Sequence, residues 1–218
     1  LPDVASLYTV NKDLVFKGLF TAVFVASYTT PVPDQLFDPD TGELEPLPEG
    51  WYPVGYTGED GTTHDRDRDL AETKAAQEAT SVRDDINSDT QTAKFTMLET
   101  SPVSIALYEG LQFDELGTDL GKPLRWAKPA VPPTVDRRWL FLASDRSKTT
   151  GQERVRARLF PRGAVTDVGG AQESRSDATG YETTVKAYMD PVFGTDVLNW
   201  LDGPGWRELA GGRPDPSS

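Results

Sequence analysis

Gln91–Gly110, QTAKFTMLETSPVSIALYEG, contains the signals of a strand, a turn and a helix in direct succession. Ala93, Phe95 and Met97 alternate with Lys94, Thr96 and Leu98, the period of two that puts one set of side chains on each face of a strand. The pattern then changes. Ser101 is a good N-cap, Pro102 suits the first helical turn, and Gly110 stands where a left-handed residue closes a helix. Between them Val103, Ala106, Leu107 and Tyr108 recur at helical spacing. This is the one helix that the sequence predicts.

Upstream, residues 14–27 (LVFKGLFTAVFVAS) read as a strand apolar on both faces, hence covered on both sides. Gly18–Ala26 has the apolarity of a signal-peptide core, but its β-branched and aromatic residues and the preceding Asp3 and Asp13 favour a strand. Residues 29–50 hold five prolines and DPDTGE and predict a long loop. Trp51–Thr57 is a short strand and Gly58–Gly61 (GEDG) a turn. In Thr62–Asp69 (TTHDRDRD), Asp65, Asp67 and Asp69 share one face, and His64, Arg66 and Arg68 share the other. Residues 71–78 form either a hairpin arm or a short helix, and a further strand is expected over 80–87.

Downstream, residues 118–133 are again proline-rich. Val135–Ala143, Glu153–Phe160 and Tyr181–Met189 predict three more strands. In the second of these, Arg154, Arg156 and Arg158 face away from Val155, Ala157 and Leu159. Seven to nine short strands with one helix argue for a mainly-β sandwich or barrel with one short flanking α-helix, not a parallel α/β sheet. A single domain over 1–200 is expected, followed by a weakly ordered tail over 201–218.

Composition narrows the chemistry. The 218 residues are 37% hydrophobic and carry a formal net charge of −13. The chain is too apolar for disorder and too acidic to grip nucleic acid by its phosphates. There are no cysteines and one histidine, so neither a disulfide nor the usual zinc ligand sets can form. No metal or cofactor is expected. His64 has no nucleophile-elbow partner, no phosphate-cradling glycine motif occurs, and the DPDTGE turn lacks the frame of a calcium loop. The sequence gives no signal of an enzyme. The charged combs on the strands are the informative feature: they pair across neighbouring strands, pair between subunits, or turn one comb toward an enclosed channel.

The ordered series of motifs resembles one family. Gly55-Tyr56 with Glu59-Asp60-Gly61 is followed by the charged strand and arm, and then by Phe95–Thr100 (FTMLET) before the helix. After these come Arg138–Ala143 (RWLFLA), Arg154–Gly163 (RVRARLFPRG), Val165–Gly169 (VTDVG) and Gly180–Asp190 (GYETTVKAYMD). The series is similar to the major tail tube proteins of long-tailed bacteriophages (siphophages), particularly those infecting actinobacteria. It covers roughly residues 14–195 and departs from the pattern in the arm, where Lys74-Ala75-Ala76-Gln77 replaces a common Trp-Gly-Gly.

The resemblance implies a two-sheet sandwich whose homohexameric rings stack into the virion's tail tube. It implies assembly in the host bacterial cytoplasm around a tape-measure protein, with terminator and tip proteins at the ends, no membrane, and DNA passing through without specific binding. It makes Asp65, Asp67, Asp69 and Asp84 candidates for the lumen. Leu70, Ala71, Glu72, Thr73, Lys74, Ala75, Ala76, Gln77 and Glu78 become the candidate inter-ring arm. Arg66, Arg68, Arg154, Arg156 and Arg158 become candidates for ion pairs between subunits. Two alternatives stay open: a tail completion or head–tail connector ring, and a secreted carbohydrate-binding sandwich using Trp126, Trp139 and Trp206.

Overall fold

The computed structural model describes residues 10–74, 76–78, 80–117 and 119–211. Among these described residues, eight strands make one antiparallel sheet: β1 Phe20–Ser27, β2 Trp51–Pro53, β3 Thr63–Lys74, β4 Ser81–Met97, β5 Arg137–Arg146, β6 Glu153–Val168, β7 Tyr181–Ala187 and β8 Leu198–Asp202. Their order is β2-β1-β5-β6-β7-β4-β3, with β8 added alongside β6. The sheet folds over on itself. β6 is long enough to serve two layers, pairing its first half with β8 and its second half with β7. A register shift between Val165 and Asp167 marks an irregularity of the kind that bends a strand. Beyond β2 the chain reaches the far side of the sheet, where Leu98 N–H donates to the Tyr56 carbonyl at 2.8 Å and Thr57 bridges Met97. The result is a mainly-β sandwich, nearly closed as a barrel.

Two apolar clusters explain why β1 is apolar on both faces. Between the layers, Val23, Val25, Trp139, Phe141 and Phe160 meet Phe95, Met97 and Val185. On the opposite face of β1, β5 and β6, Ala26, Leu140, Val155, Ala157 and Leu159 are covered by Leu36 and Phe37. The proline-rich loop over 29–50 is therefore a lid on the second cluster rather than a free appendage. Trp139 is fully buried, stacked on Phe141 at 6.4 Å, and its indole N–H donates to the Gly163 carbonyl. It is not the exposed aromatic that a carbohydrate platform would need.

Helix α1, Pro102–Glu109, packs against the first cluster through Val103, Ala106 and Leu107. The Ser101 hydroxyl accepts from Ser104 N–H at 3.1 Å, and Gly110 closes the helix at φ 73°. Two single-turn helices, α2 Phe113–Leu116 and α3 Pro204–Arg207, add to the one expected. Both are too short for a 3.6-residue apolar period to register.

Three local expectations are corrected. The segments read as separate strands over 80–87 and 91–100 are one continuous β4, because the polar residues between them lie on an exposed ribbon rather than in a turn. Residues 14–19 precede β1 instead of extending it. The segment from 201 onward, expected to be weakly ordered, contains the end of β8 and α3 up to residue 211, while residues 212–218 lie outside the described residues. Arg207 holds this end in place, pairing with Asp202 at 2.8 Å and donating to the carbonyls of Pro39 and Asp38.

Candidate assembly surface

Strands β3 and β4 pair over their whole lengths, from Thr63↔Lys94 to Lys74↔Ser81, but β7 covers β4 only from Thr92 to Met97. The remainder, from Arg66↔Gln91 outward, is a two-stranded ribbon that leaves the body. Of the two forms expected for residues 71–78, it takes the hairpin arm. Side chains along it are almost all exposed, including Leu70, Val82 and Ile86 at 52%, 47% and 58%. Leu70 and Ile86 are direct cross-strand partners, as are Glu72 and Asp84. Of the candidate arm residues, Leu70, Ala71, Glu72, Thr73, Lys74, Ala76, Gln77 and Glu78 are on this ribbon or its turn, and Ala75 lies outside the described residues.

The two faces of the ribbon differ in charge. Asp65, Asp67 and Asp69 stand opposite Thr92, Thr90 and Ser88, so one face is an acidic comb with no cation in register. On the other face Arg66 and Arg68 both donate to Asp89, which lies directly across from Arg68. Hydrogen bonds from Arg66 and Arg68 hold the Asp89 carboxyl well below the usual carboxylate range. A register shift between Asp69 and Leu70 interrupts the alternation, so Asp84 belongs to the distal face with Glu72 and not to the comb. The four acidic candidates are thus two groups.

The arginine row on β6 also divides. Arg154 and Asp145 are both buried and joined at 2.7 Å. Desolvation pushes the Asp145 carboxyl up, but donors from the Lys17 and Arg146 backbones and from Arg154 outweigh it and leave it below its ordinary value. Arg156 is exposed, and Arg158 donates to Asn199 Oδ1 at 3.2 Å. Burial, and then the neighbouring Arg156, lower the Arg158 pKa. Of the five arginines considered for contacts between subunits, only Arg156 and Arg158 have no carboxylate partner among the described residues.

His64 is the root of the arm. Its imidazole lies edge-on to Phe141 and is largely buried. Burial, followed by repulsion from Arg158 and Arg156, lowers its pKa to about 3. It is a neutral packing residue rather than a base. Among the described residues, no group of three or more His, Asp or Glu side chains could hold a metal ion, and no helix is long and apolar enough to cross a membrane.

A family model described as "Phage tail tube protein" matches residues 8–204. The chain belongs to the phage tail tube family. No curated protein matches it. Family membership makes this tail tube protein a structural component of the virion tail that self-assembles into a tube, and the family is non-enzymatic. The matched span includes the arm, both sheet layers and β8, so the surface described above lies entirely within the family's domain.

Two charge partners in this tail tube protein escaped the reading of its sequence: Asp89 and Asp145. Asp145 faces Arg154 across the hairpin that joins β5 to β6, and Asp89 faces Arg68 across the one that joins β3 to β4, where two register shifts defeat simple counting from the turn. The hairpin pairing supplies the signal that composition does not.

Proposed function

We propose that six copies of this chain close into a ring, and that rings stack into a tube around a tape-measure protein, capped by terminator and tip proteins. The tube then serves as an acidic conduit through which DNA is ejected into the host, after assembly in the bacterial cytoplasm. The observation that carries this reading is the β3–β4 arm. A two-stranded ribbon is marginal in water by itself, and this one exposes Leu70, Val82 and Ile86, none of which belongs to either apolar cluster. Cover by a neighbouring subunit gives those side chains a place out of water, which makes the arm an inter-ring contact. The free outer edge of β3 supports ring closure for the same reason, since an unpaired strand edge is a template for another strand.

Asp65, Asp67 and Asp69 suit the lumen. They form a row of carboxylates without cations in register, and such a lining repels phosphates instead of adsorbing them. The net charge of −13 agrees with passage rather than capture.

Negative-stain electron microscopy of purified protein over a concentration series tests the proposal. Hollow rings or tubes of uniform diameter are expected, and reconstruction then counts the subunits per ring and identifies the strand facing the lumen. A reconstruction with another symmetry, or with the comb on the outside, refutes the corresponding part.

A further inference from the structure

A 580 Å³ cleft lies at the root of the arm, between the N-terminal segment, β3, β6 and β8. Four arginines line it, Arg66, Arg154, Arg156 and Arg158, against one carboxylate, Asp65, and its apolar surface includes Leu14, Phe16, Leu201 and Trp206. Leu14 and Leu201 are 50% and 42% exposed. The two arginines stand two residues apart on one face of β6, so like charges repel with no carboxylate between them. Arg154, which is buried and borders the same cleft, has an Nε with no hydrogen-bond partner. The surface is built for an anionic ligand that also has an apolar side.

The distal face of the arm has the complementary defect. Glu72 and Asp84 are direct cross-strand partners, an arrangement that costs stability when nothing cationic intervenes. Lys74 lies 3.5 Å from Glu72 and offsets one of the two charges. Beside them is the exposed Leu70–Ile86 pair. A carboxylate pair next to an apolar pair matches an arginine pair next to apolar walls. The match cannot be made within one subunit. Arg66 borders the cleft, and Glu72 is six residues farther along an extended strand, about 20 Å away.

We propose that the Arg156–Arg158 cleft of one subunit receives the Glu72/Asp84 face of the arm from a second copy. This rests on the arm being an intersubunit contact, and it names the receptor. Desolvation of the two arginines is then balanced by the incoming carboxylates, and Leu70 and Ile86 gain apolar cover.

The test uses dilute full-length protein and a labelled peptide of residues 66–91, closed as a hairpin by a disulfide through Arg66→Cys and Gln91→Cys. Fluorescence polarisation should show saturable, salt-sensitive binding. Arg156→Glu with Arg158→Glu should weaken it about tenfold or more, as loss of a buried charge partner does. A peptide carrying Glu72→Arg and Asp84→Arg should regain binding to that double variant. No binding to the native protein, or equal binding by the double variant, overturns the proposal. Circular dichroism on the double variant verifies its fold, and Arg156→Gln with Arg158→Gln provides a milder replacement with the same expected direction. Removing Ala71–Gln77 and looking for tubes tests the arm separately. Loss of tubes combined with native peptide binding that ignores the arginines refutes the receptor alone, whereas tubes without the arm refute both.

Discussion

Asp145 accepts a 2.7 Å hydrogen bond from Arg154 Nη2 across the β5–β6 pairing, and both side chains are almost wholly buried. Lys17 N–H donates to the same carboxylate and the Val15 carbonyl accepts from the same guanidinium, so the pair also fastens the segment before β1. Replacing Asp145 by Ala leaves an unpaired buried cation, at a cost of about 3–5 kcal/mol. Calorimetry should show Tm falling by roughly 10 °C. Asp145→Leu with Arg154→Met should recover most of the loss, because no buried charge is then left alone.

The His64 pKa has a direct consequence for acid stability. The unfolded imidazole takes up a proton near pH 6.5, whereas the folded one resists until about pH 3. Between these values the unfolded state binds more protons. Its contribution to stability is therefore complete above pH 6.5 and declines as pH falls toward 3. The loss at pH 5 should be on the order of 1–2 kcal/mol. Denaturant unfolding of His64→Phe, which keeps the packing on Phe141, should lack this slope between pH 5 and 7. An unchanged slope would show that other groups cause it.

Deleting Ala71–Gln77 removes the outer part of a ribbon that contributes nothing to either apolar cluster. Circular dichroism and Tm should stay close to those of the full chain, within a few degrees, while tubes disappear from electron micrographs. Tubes of normal diameter from this variant would exclude the arm as the inter-ring contact.

Gly203→Ala should loosen the C-terminal end of the domain. At φ 126° and with the Glu153 carbonyl oxygen 2.6 Å from where a Cβ would stand, the position has no room for a side chain. The backbone of β6 would have to move, and a destabilisation of about 1–3 kcal/mol follows. Hydrogen exchange should report it first in Leu198–Asp202, the strand held between β6 and this turn.

Much of the molecule was legible in the residue pattern. The alternation through Phe95 and Met97 and the capped helix from Ser101 to Gly110 depend on neighbours along the chain, and both stand as read. So does the apolar character of β1 on both faces, which demanded two covers and has them. The missed β8 is only five residues long, and its LNWLD alternates too briefly to stand out from a tail rich in glycine and proline.

The arginine and aspartate combs mark the limit of that legibility. Periodicity alone showed that Arg154, Arg156 and Arg158 share a face and that Asp65, Asp67 and Asp69 do. Tertiary structure decided which charges were already spent. Arg154 is buried against Asp145, Arg66 and Arg68 are satisfied by Asp89, and a register shift takes Asp84 out of the comb. The physical reason is range: a strand's alternation is set by bonds between adjacent residues, but the partner of a charge is set by pairing across strands and by what covers them. Only the folded chain leaves Arg156 and Arg158 without an ion-pair partner among the described residues, at the edge of a cleft beside an arm that cannot turn back to fill it.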